Sequence, residues 1–404
     1  MIAPARRNAV LLVAALVVVA AAGSGVAFVL HQGSVRGRAA APAPRSPSTS
    51  PSATVSPTPD AALPGGGAVP AHFTAVSVTT TARGITYLLG SAPCRAAPCT
   101  SLLRYDGSRW RGVAAPRAPV AAADPSTRPD TVRDVRFGTA RDGWAYGGAL
   151  WSTHDGARGW HAVDVGGAVT DLASDGTTTY AVVARCAGAA EGCRVRLRAT
   201  PVGRDAWLDV PGVAAAGSTA RLSVGAGTAA VSFVDTGAVY LRRGGDWRPA
   251  QVRCPDGLPS VVTSASSPRL FAFCGSAGAG NLDFAILSTD DGRRWTDVPV
   301  GPGHLRLPNG TFVSLTAASS TVLLAASGDP SLGGPVMASR NGGRTWGRAS
   351  GHGGLPDLGS GPAGGWRYVG ASSATRVVAL AAVPHRGYWV SHDGARTWQE
   401  MVPG

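Results

Sequence analysis

Seven tryptophans, Trp110, Trp160, Trp207, Trp247, Trp295, Trp346 and Trp398, recur 40 to 52 residues apart between about Ala71 and the C-terminus at Gly404. Each closes a unit of two β-rich runs, a third run and a Gly-rich turn. A period of this size belongs to propeller blades or another solenoid-like array, in which a repeat buries its apolar faces only against its neighbours. Seven units can close into a ring, which removes the long exposed sheet edge an open array would leave. The chain has 55 Gly, 30 Pro and only 15% charged residues, too many turn formers for long helices, yet 44% of it is apolar and can fill a core.

The last repeat parses as four short strands, RYVGASS, RVVALAA, GYWVSHDG and RTWQEMV, and the first as FTAVSVT, GITYLLGS, SLLRYDG and RWRGV. Both end repeats hold all four strands, so the first blade should pack on the seventh without a strand exchanged between the termini. The reading is an all-β chain: a single seven-bladed β-propeller of four-stranded antiparallel blades over 71–404, following an N-terminal transmembrane helix and a disordered linker.

Four units carry a common motif ahead of the Trp: THDGARGW, STDDGRRW, SRNGGRTW and SHDGARTW. Asp155, Asp290, Asn341 and Asp393 take its acidic or amide position, five residues before Trp160, Trp295, Trp346 and Trp398. A short acidic or amide side chain bonds the backbone of its own turn, Gly accommodates positive φ, and the Trp packs the hairpin onto its surroundings. These residues are therefore structural. The other three units are degenerate: RYDGSRW is one residue short, GRDAW has no Gly after its Asp, and RRGGDW keeps the Gly pair with no Asp ahead of it.

The motif resembles the Asp-box, or bacterial neuraminidase repeat, Ser-x-Asp-x-Gly-x-x-Trp. That superfamily holds both enzymes and binding proteins. The sialidases use an Arg triad, a Tyr nucleophile with its Glu, an Asp acid and an Arg-Ile-Pro motif on six blades. Here there is no Arg-Ile-Pro, and the chain holds only two glutamates, Glu191 between two cysteines and Glu400 on the outermost strand of blade 7. Xyloglucanases on such propellers set two propellers face to face, and this chain has one. No nucleophile elbow, phosphate loop or metal-ligand helix motif is visible. A single seven-bladed Asp-box propeller is similar to the photosystem II assembly and stability factors, which bind protein partners. The resemblance implies a surface-displayed binding or scaffold module for a protein or cell-surface glycan, with a sialidase-like or other glycoside hydrolase as the alternative. No cofactor or metal is implied.

Let strands A to D of each blade run from the central channel outward. The B–C and D–A connections then share one face, and the A–B and C–D turns share the other. Cys94 and Cys99, Cys186 and Cys193, and Cys254 and Cys274 form three locally spaced pairs with no CxxC and no His at zinc-ligand spacing, which reads as three disulfides in an oxidising compartment. All three pairs map to the B–C/D–A face. The longest loops map there too, and loops on a rigid scaffold carry binding. His304, Arg306, His352, Asp357, His385 and Arg386 are accordingly the candidate ligand-binding residues.

Arg6 and Arg7 precede an apolar run from Ala9 to Leu30, long enough to cross a bilayer as a helix. The positive-inside rule makes 1–8 a cytoplasmic stub, 9–30 the anchor and the rest extracytoplasmic. Ala20 to Ala22 also fits a signal-peptidase site, and a cleaved, secreted chain would be exported equally. Residues 31–70 are an Ala/Pro/Ser/Thr spacer with too little apolar area to fold. The net charge of +13 is all Arg, with no Lys, and is scattered over the repeats. Without a basic helix or an aromatic-interleaved stripe it points to a basic surface rather than a nucleic-acid partner.

Overall fold

The computed structural model describes residues 63, 65–94, 98–121, 130–186, 192–217, 220–255, 257–275, 285–299, 312–327, 335–349, 354–356 and 365–404. The segment 9–30, expected from the sequence to be an anchor, lies outside them, and among the described residues no helix is long and apolar enough to cross a membrane. They form seven four-stranded antiparallel sheets, each in simple A-B-C-D order. The blades occupy 74–113, 134–163, 168–216, 220–250, 258–297, 312–348 and 366–401.

Middle strands buried on both faces explain the apolar runs in the sequence. In strand B of blade 1 (Thr86–Pro93), Tyr87 and Leu89 pack toward blade 2, while Leu88 packs toward blade 7. In strand B of blade 7 (Val377–Ala381), Val378 and Leu380 meet blade 1, while Val377, Ala379 and Ala381 meet blade 6. This two-residue alternation builds seven separate cores, one per pair of neighbouring blades. Every repeat Trp packs into the core shared with the preceding blade: Trp110 against Tyr388 of blade 7 at 6.2 Å, and Trp160 against Phe137 at 6.1 Å. Trp160 also donates its indole N–H to the Ala114 carbonyl, on the segment leaving blade 1.

The ring closes without strand exchange, as the end repeats imply. Phe73, Val78, Leu88 and Leu103 of blade 1 share one core with Val378, Leu380, Tyr388 and Val390 of blade 7. The Ala75 amide donates to the His385 carbonyl across the seam at 2.7 Å.

The C–D turns show what the motif does. In blade 7 the Ser391 hydroxyl donates to Asp393 Oδ1 and accepts from the Ala395 amide, both at 2.8 Å, while Asp393 Oδ1 accepts from the amides of Arg396 and Thr397. Thr153 and Asp155 repeat the pattern in blade 2, and Ser339 and Asn341 in blade 6. The Gly394 amide then reaches the Thr375 carbonyl of the A–B turn. Ala157 and Ala395 hold φ of 65° where the motif prefers Gly, and both are buried.

Blade 5 corrects the motif alignment. The clamp there is not Asp290 but Asp291, whose Oδ1 accepts from Thr289 Oγ1 and from the amides of Arg293 and Arg294 at 2.8, 2.8 and 3.1 Å. Only Gly292 takes positive φ in this turn, against two residues in blades 2, 6 and 7, so the turn is one residue shorter. Blade 1 has the same short form, with Asp106 accepting from the amides of Ser108 and Arg109.

Candidate functional site

The three disulfides pair as Cys94–Cys99, Cys186–Cys193 and Cys254–Cys274. The first two close B–C connections, and the third ties the segment after strand D of blade 4 to the end of strand B of blade 5. Strand order places all three on the B–C/D–A face.

Of the loop residues read as a binding surface, His304, Arg306, His352 and Asp357 lie outside the described residues. His385 and Arg386 already have partners within the fold. His385 accepts from the Gly387 amide through Nδ1, pairs with Glu400 at 3.2 Å through Nε2 and lies against Trp389. Arg386 donates to the Pro403 carbonyl. Both sit where the B–C connection of blade 7 meets blade 1 and the C-terminus.

The structure instead gathers charge in the central channel. A cavity of about 620 Å³ is walled by the inner strands of all seven blades, and four arginines line it, Arg133, Arg136, Arg221 and Arg367, with two aspartates, Asp134 and Asp171. Arg133, Asp134, Arg221 and Arg367 lie at the beginnings of inner strands, and Tyr146 ends strand B of blade 2 (Gly143–Tyr146). The cluster therefore belongs to the same end of the channel as the disulfides.

In three blades a local backbone irregularity adds a residue to the channel wall. In regular pairing neighbours point to opposite faces. The A–B register skips one residue between Trp366 and Tyr368, so Arg367 is the extra residue of a bulge, and both Arg367 and Tyr368 line the cavity. The same device places Thr170 beside Asp171 and Val76 beside Ser77.

A ring of side-chain to main-chain bonds underlies the cluster. Ser77 Oγ accepts from the Val135 amide of the next blade, Ser223 Oγ from Thr263, and Ser314 Oγ from Val369, at 3.1, 2.8 and 3.1 Å. In blade 3 that position is Asp171, whose Oδ2 accepts from the Leu222 amide of blade 4 and whose Oδ1 accepts from its own neighbour Leu172, each at 2.8 Å. Asp171 thus does a serine's structural job and adds a negative charge.

The electrostatics divide the cluster. Burial pushes Asp171 above its ordinary carboxylate value, against the Leu222 amide and Arg136. Burial acts the same way on Asp134, but Arg133, Arg136 and Arg367 outweigh it and hold that carboxyl low; Arg133 Nε donates to Asp134 at 2.8 Å. Burial also pushes Tyr146 well above its ordinary value. The Arg136 guanidinium lies 4.8 Å from the Tyr368 ring centroid and 6.0 Å from that of Tyr146, two cation–π contacts. Arg221 and Arg367 are both lowered, foremost by burial; Asp134 pulls Arg367 back up, while Arg133 and Arg136 push it down. The channel end is therefore short of negative charge.

Sequence reasoning missed these residues because it searched the long loops. The available signal was a charged residue at the start of an inner strand, in RDVRF, ARLSVG and WRYVG.

Among the described residues the one group able to hold a metal ion is His154, His161 and Asp205, on the opposite face, where sequence reading expected no metal site.

No protein-family profile matches the chain, and no curated protein sequence matches it. Solved structures resemble it over the propeller. YCF48 from Cyanidioschyzon merolae is 12% identical with a TM-score of 0.49, covering 83% of this chain and 97% of that one. A structure of YCF48 bound to D1 peptide is 14% identical with a TM-score of 0.49, covering 83% and 96%. The GH74 enzyme of Niastella koreensis is 12% identical with a TM-score of 0.41, covering 81% of this chain and 65% of that one. At such identities each is a likeness of architecture alone, and the chain stands as a seven-bladed β-propeller.

Proposed function

We propose that this chain is a membrane-anchored, extracytoplasmic binding module that seats an anionic group of its partner at the disulfide-bearing end of the channel. The partner is a protein or a cell-surface glycan carrying carboxylates. The observation that carries this reading is the excess of four arginines over two aspartates around one cavity, with Arg221 and Arg367 lowered by burial. A carboxylate entering there would take up bidentate guanidinium bonds and relieve the crowding of like charge. The cavity volume is within the range of ordinary ligand sites, and the tyrosines supply flat walls.

The alternative is glycoside hydrolysis, and one observation favours it: Asp134 and Asp171 face one cavity with shifts in opposite directions, as an acid and its partner carboxylate would. Two features weigh against it. Both Asp171 oxygens are engaged by backbone amides. Tyr146, raised by burial, is the opposite of an activated nucleophile.

The test is calorimetric titration of the full-length protein in detergent with a sialylated oligosaccharide and with an acidic peptide, alongside product analysis. Binding of either anion that falls at least tenfold in Arg221→Gln and Arg367→Gln, with the ligand recovered intact, supports the module. Failure of both anions to bind rejects it, and hydrolysis abolished by Asp134→Asn or Asp171→Asn establishes the alternative.

A further inference from the structure

We propose that His154, His161 and Asp205 form a binding site for a divalent transition metal of the zinc class, clasping blade 2 to blade 3 on the face opposite the disulfides. His154 follows strand C of blade 2 (Leu150–Thr153), and His161 begins strand D (His161–Val163). Asp205 comes from the C–D turn of blade 3. Their ligand atoms lie within 4.8 Å of one another. His161 Nε2 is 2.8 Å and His154 Nε2 is 3.2 Å from the same oxygen, Asp205 Oδ2. Ligands about 2.1 Å from a tetrahedral zinc stand roughly 3.4 Å apart, so small side-chain rotations admit the ion. Ser152 Oγ, 2.9 Å from His161 Nε2 and 2.7 Å from Asp205 Oδ2, closes the fourth side.

The outer contacts are those a metal histidine uses. Asp142, from the A–B turn of blade 2, pairs with His154 Nδ1 at 3.0 Å. With a metal bound, that bond would hold the ring with its Nε2 lone pair turned toward the ion, the carboxylate–histidine arrangement that orients and strengthens an imidazole ligand. His154 Nε2 and Asp205 Oδ2, 3.2 Å apart, share a proton when no metal is bound, and a metal ion would take that proton's place. Beneath, Trp144 is fully buried and meets the His154 ring edge-on at 6.1 Å. His161 is 58% exposed, which leaves an open approach.

The site is built from departures from the repeat. In blades 2 and 7 the turn aspartate clamps its own backbone. In GRDAW no Gly follows the Asp, and Asp205 Oδ2 reaches blade 2 instead, meeting Ser152, His154 and His161. Two imidazoles with one carboxylate suit zinc and its neighbours over magnesium or calcium, which take oxygen sets.

The experiment titrates untagged, chelator-dialysed full-length protein with Zn²⁺ by calorimetry, and with Co²⁺ by visible absorption, in wild type, His161→Ala and Asp205→Asn. One Zn²⁺ per chain is expected, with the intense visible bands of low-coordinate cobalt and a rise in Tm on loading. Each variant should lose at least a hundredfold in affinity and show no Zn²⁺-dependent Tm rise. His161→Ala removes an exposed side chain and should leave the circular dichroism spectrum unchanged. Asp142→Asn should cost ten- to a hundredfold without changing the stoichiometry, as outer partners of metal histidines do. No Zn²⁺ binding by wild type, or undiminished binding by both folded variants, overturns the proposal and leaves a proton holding the cluster together.

Discussion

Replacing Cys254 and Cys274 together by Ala should cost the fold more than removing either other disulfide. The bridge spans 20 residues of chain, against 5 for Cys94–Cys99 and 7 for Cys186–Cys193. Loop-closure entropy in the unfolded state then gives about 3.3 kcal/mol for the long bridge and about 2.0 and 2.3 kcal/mol for the short ones. Native context widens the gap. Cys186 and Cys193 form the last register pair of a hairpin matched residue for residue, so the hairpin holds them together without the bond. Cys274 is fully buried in the core joining blades 4 and 5, and losing its sulfur leaves a void costing on the order of 1 kcal/mol more. The long bridge therefore contributes about 4 kcal/mol, roughly twice either short one. Guanidinium unfolding of the three double-Ala variants, followed by both Trp fluorescence and circular dichroism, measures this; coincidence of the two probes checks that the ring unfolds as one unit. A Cys94/Cys99 variant that loses as much as the Cys254/Cys274 variant would refute the loop-length reasoning.

Asp291→Ala should lower the melting temperature by breaking three bonds in the blade 5 turn, whereas Asp290→Ala, at an exposed side chain, should barely move it; equal effects would return the clamp to Asp290. The turn carboxylates also set an acid limit. Backbone amides hold Asp291 down at about 2, and in Asp155 and Asp393 burial is outweighed by hydrogen bonds, so these too lie below their ordinary value. A depressed folded value stabilises above the unfolded value of ~3.9 and is lost as pH falls through the folded one. Circular dichroism should therefore show the propeller persisting at pH 4 and unfolding only toward pH 2, and loss of structure above pH 4 would contradict it. In spheroplasts, external protease should remove the propeller while a cytosolic control survives; protection of both would reverse the proposed orientation.

The repeat made the architecture legible because a blade must bury both faces, and a Trp at each interface with the preceding blade leaves a regular mark. The register of one turn was not legible. Thr289, Asp290, Asp291 and Gly292 admit two alignments, and spacing from Trp295 selects Asp290, since spacing does not tell that this turn uses one positive-φ residue rather than two. Among the channel charges, Arg367 was hidden for a related reason. Arg367 reaches the cavity as the extra residue of a bulge, a position that strict alternation assigns to the other face. The histidine cluster joins residues 44 and 51 positions apart through a contact between neighbouring blades, and no local spacing encodes that.

What unites the two sites is that each uses a residue that departs from the pattern of its sister blades. Ser77, Ser223 and Ser314 show the inner-strand position needs only a hydroxyl to receive the next blade's amide, so the carboxylate of Asp171 is more than the ring requires. Asp155 and Asp393 show the turn position spends its carboxylate on local amides, yet Asp205 spends its Oδ2 on blade 2. Real proteins break their own local rules mainly where function asks it. In a seven-fold repeat the copies supply the rule directly, so each departure can be read against its sister blades. Blade 3 holds both departures, one at each end of its sheet. Asp171→Ser and Asp205→Asn therefore separate the two sites: the first keeps the inner ring bond while removing the channel charge, and the second keeps the turn's shape while removing the charge that holds the histidines. If either change unfolded blade 3, the residue would belong to the scaffold, and the argument from departures would fail at that position.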